Sequence, residues 1–427
     1  MEVHANLENV LKKVNNFINI DANRQKYAEH FDNLKNTIFK ELRKNDVFNY
    51  LLNGFQLGGS YGDNVKVSIP NEYDLVFNIK FPEPNLIEVK KDHELPGNVH
   101  LDFTKVIQKI AKEKQHENNL LHIKQWLDNE NYLKVEKFQM FLRSCFISVL
   151  TKMEYQITFN GKTSSLRYSR EGPAHTVKVT ESLDFIYSVD FVPGILLNAA
   201  QSVIPNIVGQ WEAIPKPTPI NNPSYKSFRA SFYRQEQNLI KGRLQLKNVY
   251  RMMKKFRDSK SNMMKMKSYY IKTLFLWKSS RENVNYWSKS LTEIIIDMFK
   301  DMEKSLREEN LPFYWDTELN LYDRYQPRLL REMLGCVESS REILEKAAKE
   351  LTPALQKKVY RIFLVEKERN LLEAQNNGRS LSNAESNGNP NKPKLNQNQN
   401  NHGADKKDAS KLQSQQNESS KSSCLIS

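Results

Sequence analysis

The sequence predicts an α+β protein of two lobes: a mixed lobe built on a central sheet, then a lobe of helices. Three observations predict it. Apolar residues recur at helical spacing through the first 50 residues and again from about residue 225. Between those regions, alternating or continuous apolar runs bounded by turn residues mark strands. Hydrophobic residues make up 39% of 427, enough for a large buried core.

Taken in order, residues 1–50 read as an N-terminal spine helix. Leu7, Val10, Leu11, Val14, Phe17 and Ile18 share one helical stripe, as do Phe31, Leu34, Ile38, Phe39 and Leu42, and no Gly or Pro interrupts them. Residues 51–215 form the mixed lobe. Strands are expected at Val65, Val67 and Ile69, at Tyr73, Leu75, Phe77 and Ile79, and over 155–159, 175–179 and 186–191, with helix between about 100 and 150. Residues 216–374 form the helical lobe, with helices expected over 239–256, 268–278, 287–306, 326–348 and 353–374. Residues 375–427 carry almost no apolar side chain. They are expected to be a disordered tail, because they cannot bury enough surface to offset their ordering entropy.

Several classes are excluded or disfavoured. No run approaches the roughly 18 apolar residues of a membrane-spanning helix, and the first residues lack the apolar stretch of a secretory signal. Cys145, Cys336 and Cys424 lie far apart, which argues against a disulfide framework or a paired-cysteine zinc site and suits a reducing, cytoplasmic setting. The 64 basic against 50 acidic residues, a formal +14, favour a polyanionic partner.

The chemistry-bearing pattern begins at Gly58-Gly59-Ser60. Two glycines before a serine allow backbone amides and a hydroxyl to approach a phosphate. Glu72-Tyr73-Asp74 follows. In a strand, residues two apart share a face, so Glu72 and Asp74 present paired carboxylates. A hard divalent cation relieves their repulsion. Asp190, embedded in the apolar run 185–192, is costly there unless paired or metal-bound, and is the candidate third acid. Three such acids suit a two-metal site for in-line phosphoryl transfer.

These residues carry a resemblance. GGSYGDNVKVSIPNEYDLVF resembles the nucleotidyltransferase signature of cyclic GMP-AMP synthase and the animal cyclic GMP-AMP synthase-like receptors. Gly172-Pro173-Ala174, Phe228-Arg229-Ala230-Ser231-Phe232 and Ser268-Tyr269-Tyr270-Ile271-Lys272-Thr273 are similar to later segments of that family, and the match runs from about 10 to 370. The resemblance implies a bilobal nucleotidyltransferase with its active site between the lobes. Glu72, Asp74 and Asp190 would hold two Mg²⁺ or Mn²⁺ ions. Ser60, Lys247, Ser268 and Lys272 would contact triphosphate, Arg229 the guanine nucleotide, and Tyr269 would stack on a base. The implied reaction joins ATP and GTP into cyclic GMP-AMP, a second messenger read by a downstream receptor in antiviral defence. Same-fold alternatives are another cyclic or linear product, or a silent nucleic-acid-binding relative.

The sequence departs from cyclic GMP-AMP synthase in one respect. That enzyme's zinc insertion needs clustered Cys and His, and neither occurs between Ser231 and Ser268. No zinc is expected, and the implied activator is double-stranded RNA, as in the insect relatives. Two basic clusters are candidate RNA contacts: Lys12, Lys13, Lys26, Lys40, Arg43 and Lys44, and Lys241, Arg243, Lys254 and Lys255. Independently of the family, Cys424-Leu425-Ile426-Ser427 forms a C-a-a-X box with Cys424 as a farnesylation site, from which association with a membrane is expected.

Overall fold

A computed structural model describes residues 6–19, 24–67, 70–205, 207–218 and 224–376. Its chain begins with three helices, α1 (Leu7–Asn19), α2 (Arg24–Leu42) and α3 (Asp46–Leu51). The N-terminal stretch is therefore helical but is not one spine. A turn at Arg43–Asn45 precedes α3, and the Asn45 side chain caps it by accepting from the Phe48 amide at 2.9 Å. The two apolar stripes also go to different cores. Leu7, Val10, Leu11, Val14 and Ile18 of α1 are buried in the helical lobe, whereas Tyr27, Phe31, Leu34 and Ile38 of α2 are buried against the sheet.

The mixed lobe contains β1 (Leu52–Leu57), the single-turn helix α4 (Gly59–Gly62), β2 (Glu72–Ile79), β3 (Glu88–Lys91), β4 (Asn98–Asp102), and helices α5 (Thr104–Ile110), α6 (Glu117–Trp126) and α7 (Val135–Lys152). Then come β5 (Gln156–Phe159), β6 (Lys162–Glu171), β7 (Ala174–Ser182), β8 (Phe185–Asn198), β9 (Gln210–Ile214) and β10 (Phe228–Ser231). The strands form one sheet in the order β3-β4-β10-β9-β8-β7-β6-β5, with the β1–β2 hairpin joined to it through β2 and β8. That β2–β8 pairing is parallel and the others are antiparallel. One face of the sheet is covered by α2 and α7. His30 of α2 reaches Tyr187 and Ser164, and Phe146 of α7 stacks on His175.

The expected strand through Val65 and Val67 is not formed; Ile69 lies outside the described residues. Val65 is instead fully buried in the helical-lobe core, so its apolar character serves docking between the lobes rather than sheet pairing.

The helical lobe comprises α8 (Tyr233–Ile240), α9 (Leu244–Ser259), α10 (Ser268–Arg281), α11 (Leu291–Arg307), α12 (Pro327–Lys349), α13 (Pro353–Phe363) and α14 (Glu366–Asn376). The helix expected over 239–256 is split at Gly242, whose φ of +75° only glycine adopts without strain. The start of α11 shows why these boundaries fall where they do. Ser290 and Glu293 form a reciprocal capping box that satisfies otherwise orphaned amides. Among the described residues no helix is long and apolar enough to cross a membrane. The expected tail beyond residue 376, with Cys424, lies outside the described residues.

Candidate active site

The sheet assembles the acids. β2 and β8 run parallel with Asp74 paired to Asp190, and Glu72 precedes Asp74 by two residues on the same face. One carboxylate oxygen from each of Glu72, Asp74 and Asp190 lies within 4.8 Å of the other two. Asp74 and Asp190 are buried, with only 6% and 7% of their surface exposed. Burial, with Glu72 and Asp190 close by, holds the Asp74 carboxyl well above the usual range. Burial likewise pushes Asp190 up to about 7, although the Thr176 hydroxyl donates to its Oδ1 at 2.6 Å and works in the opposite direction. Asp74 Oδ1 is buried without a hydrogen-bond partner. Three converging carboxylates, two of them buried and one with an orphan oxygen, form a donor set that fits hard divalent cations.

The glycine turn is built against these acids. The Gly58 amide donates to the Asp74 carbonyl at 2.8 Å, and Gly59 has φ +53°. A Cβ at Gly59 would overlap Asp74 Oδ2, so both its conformation and its contact require glycine. Ser60 follows in the first turn of α4 and is half-buried beside this site.

The end of α4 and the segment after it are held by the helical lobe. Gln237 donates to the Gly62 carbonyl at 3.2 Å, and Arg251 donates to the Asn64 carbonyl at 3.3 Å. Lys254 donates to the Val65 carbonyl at 3.4 Å. At the centre Lys272 of α10 bridges Asp63 at 2.9 Å and Glu236 of α8 at 3.0 Å. Burial opposes the Lys272 charge, but Asp63 and Glu236 more than offset it and hold its pKa well above the usual lysine range. Glu236 also accepts from the Tyr269 hydroxyl at 2.6 Å and from Trp315 Nε1 at 3.0 Å.

The structure thus separates the residues expected to contact nucleotide. Lys247, Arg251 and Lys254 share one face of α9 at i, i+4 and i+7, so half-buried Lys247 lies on the face that meets the catalytic loop. Ser268 opens α10, half-buried. Lys272 is buried and committed to two carboxylates, and the Tyr269 hydroxyl is taken by Glu236. Arg229 of β10 is buried, donates to the Pro96 carbonyl at 3.3 Å and lies 5.6 Å from the Phe313 ring centre. Burial pushes its pKa down to about 10.

The candidate nucleic-acid residues also divide. Lys12 and Lys13 are exposed on α1, Lys26 and Lys40 on α2, and Arg43, Lys44 and Lys241 on turns. Lys12 pairs with Glu8 at 3.3 Å, Lys26 with Glu181 at 3.1 Å and Lys44 with Glu41 at 2.6 Å. Arg243 is half-buried. Lys254 and Lys255 do not belong to such a surface. Both are buried, Lys254 under the Val65 carbonyl and Lys255 in an ion pair with Glu368. Their apolar neighbours on α9 face the helical core, and the stems follow them inward.

Sequence reasoning missed Asp63, Glu236 and Thr176. Thr176 could have been found from the alternation of β7 once its pairing with β8 was known. Asp63 and Glu236 sit in ordinary polar stretches, and only tertiary contact reveals their shared lysine.

A sheet that brings three acids together beside a glycine-serine turn, with a helical lobe bonded to the segment that follows the turn, defines a nucleotidyltransferase. Residues 61–242 match the Mab-21 protein nucleotidyltransferase domain, and residues 245–339 match the Mab-21 protein HhH/H2TH-like domain. A Cyclic GMP-AMP synthase-like receptor of Lucilia cuprina is 82% identical over 363 residues, covering 85% of this chain and 99% of that protein. Cyclic GMP-AMP synthase-like receptor 1 of Drosophila melanogaster is 39% identical over 329 residues, covering 74% of this chain and 86% of that protein. Receptor 2 of the same fly is 38% identical over 363 residues, covering 79% and 78%. The chain belongs to the cyclic GMP-AMP synthase-like receptor family.

Proposed function

We propose that this nucleotidyltransferase joins ATP and GTP in two steps into cyclic GMP-AMP, releasing pyrophosphate at each step, when double-stranded RNA engages its basic surface. The observation that carries the reading is the convergence of Glu72, Asp74 and Asp190 beside the Gly58–Gly59–Ser60 turn. The three acids would hold two Mg²⁺ or Mn²⁺ ions, which when bound offset the phosphate charge and favour ionisation of the attacking hydroxyl.

The chain's own residues supply orientation and proton handling. Thr176 occupies Asp190 Oδ1, so Oδ2 is the oxygen left to accept the proton of the attacking ribose hydroxyl. A positioned general base of this kind contributes about 10²–10⁴-fold. Gly59, by lacking a side chain, lets the backbone after Gly58 lie against Asp74, and this close approach supports Ser60, the next residue, as a hydroxyl donor to the donor triphosphate. Lys247, on the α9 face that meets the loop, adds a mobile positive charge for the same phosphates. Arg229 offers a planar fork suited to a guanine edge.

Exposed Lys12, Lys13, Lys26, Lys40, Arg43, Lys44 and Lys241 support a charge- and shape-based RNA contact. The Cys424 box supports farnesylation and membrane association, and the dinucleotide would be read by a separate receptor in antiviral defence. The reading is tested by incubating the full chain with ATP, GTP and Mg²⁺ or Mn²⁺, with and without long double-stranded RNA or DNA, and identifying products by mass spectrometry and linkage-specific nucleases. An RNA-dependent cyclic dinucleotide supports it. A linear product, or a product made only with DNA, overturns the corresponding part.

A further inference from the structure

We propose that Lys178 and Arg167 form a subsite for the 5′-polyphosphate of the acceptor nucleotide, on the open face of the sheet beside the catalytic acids. The inference rests on the nucleotide-joining reading above.

The register fixes which residues share that face. Thr176 is paired with Asp190 and bonded to its carboxylate, so Thr176 points to the acids' side. Lys178, two residues on along β7, points the same way and is paired with Ser188 of β8, which is in turn paired with Glu72 of β2. Arg167 of β6 is paired with Lys178. One row therefore crosses four strands on one face: Glu72, Ser188, Lys178, Arg167. The row beside it holds Asp74, Asp190, Thr176 and Ser169. The opposite face is closed by α2 and α7, which places this row across the sheet from the lysines of α2.

Two features single out the cationic end. Like charges directly opposite on neighbouring strands are destabilising, yet Arg167 and Lys178 face each other in register. Both are exposed, and among the described residues neither makes an ion pair or hydrogen bond through its side chain. Their nearest partners on the same face are hydroxyl residues, Ser165, Ser169, Thr180 and Ser188. Glu171 lies on the same face but at the other end of β6, on the Asp190 side.

The spacing suits an acceptor nucleotide. Strands lie about 4.8 Å apart, so Lys178 is about 10 Å and Arg167 about 14 Å across the sheet from Glu72. A nucleotide whose ribose hydroxyl sits at Asp190 carries its polyphosphate on the far side of the ribose. A lysine offers a compact charge and an arginine a bidentate fork for such phosphates.

The test uses the full chain with ATP, Mg²⁺ and long double-stranded RNA, and compares GTP with guanosine as acceptor. For each acceptor, kcat/KM for first-step dinucleotide formation is read by mass spectrometry in wild type and in an Arg167→Met/Lys178→Met double variant. Both residues are exposed, so the substitutions spare the core. The GTP-to-guanosine ratio is expected to fall by about tenfold or more, since hydrogen bonds between charged partners are lost. An unchanged ratio, whether both rates fall together or neither does, overturns the subsite while leaving the nucleotide reading intact. Absence of dinucleotide from wild type with either acceptor overturns that reading itself, and the subsite with it.

Discussion

Lys272 decides between two roles. The family resemblance implies a triphosphate contact, whereas the structure buries Lys272 between Asp63 and Glu236, with 4%, 3% and 4% of their surfaces exposed. Burial already holds the Asp63 carboxyl above its ordinary range despite the adjacent ammonium. In Lys272→Met the stem is roughly preserved, but two buried carboxylates lose their shared cation. Breaking a buried pair by removing one partner costs about 3–5 kcal/mol, a large part of the roughly 5–15 kcal/mol of a typical domain. The assay is urea unfolding of the full chain, read by tryptophan fluorescence, alongside steady-state kinetics. The expected result is a drop of that size in the midpoint-derived stability. A triple variant, Lys272→Met with Asp63→Asn and Glu236→Gln, should recover much of it, because neutral partners in a buried site need no counter-charge. Because Asp63 follows the catalytic turn, kcat should fall more than the KM for ATP rises. A loss below about 1 kcal/mol, together with a rise confined to the KM for ATP, would refute the strut and return Lys272 to the phosphates.

Two further outcomes are expected. Gly59→Ala places a Cβ into Asp74 Oδ2 and forces a non-glycine residue to φ +53°, so nucleotide-joining activity should fall by about 100-fold or more while circular dichroism stays near wild type; activity within threefold of wild type would contradict the close contact. Glu212, on β9, is buried and burial pushes its pKa up to about 7, although the Arg234 charge at 3.7 Å and a hydrogen bond from Gln56 at 3.0 Å act the other way. Its folded pKa lies above its unfolded value, so the folded state binds the proton more tightly. Stability should therefore fall as pH rises from about 4.5 to about 7, by on the order of 3 kcal/mol. Asp74 and Asp190 are raised by burial in the same sense, so Glu212→Gln should remove Glu212's share of that slope in thermal melts and leave theirs, and an unchanged slope would rule Glu212 out as a source.

The sequence made the sheet-then-helix order legible because the apolar period changes visibly near residues 51 and 225. The acid set was legible for a local reason: Glu72 and Asp74 differ by two along one strand, and Asp190 is conspicuous in an apolar run. Their pairing across β2 and β8 is a parallel contact between distant segments, which no local pattern specifies. The same limit explains the errors. Val65 alternates like a strand residue, yet its side chain is claimed by the other lobe. Lys254 and Lys255 read as a basic surface, but charge in sequence does not reveal which helix face is covered. The stripes of α1 and α2 look continuous, and only packing divides them between two cores. Lys272 was singled out by resemblance alone, and its partners Asp63 and Glu236 are 209 and 36 residues away in the chain.

The most direct measurement compares wild type with Glu72→Ala/Asp74→Ala in a pyrophosphate-release assay with ATP, GTP, Mg²⁺ or Mn²⁺ and long double-stranded RNA, with products identified by mass spectrometry. Removing both carboxylates relieves repulsion in the metal-free fold, so the double variant should remain folded and keep its RNA affinity. Wild type should release pyrophosphate and accumulate a cyclic dinucleotide, and the variant should do neither above background. Equal pyrophosphate release from the two proteins would show that these acids do not carry the chemistry.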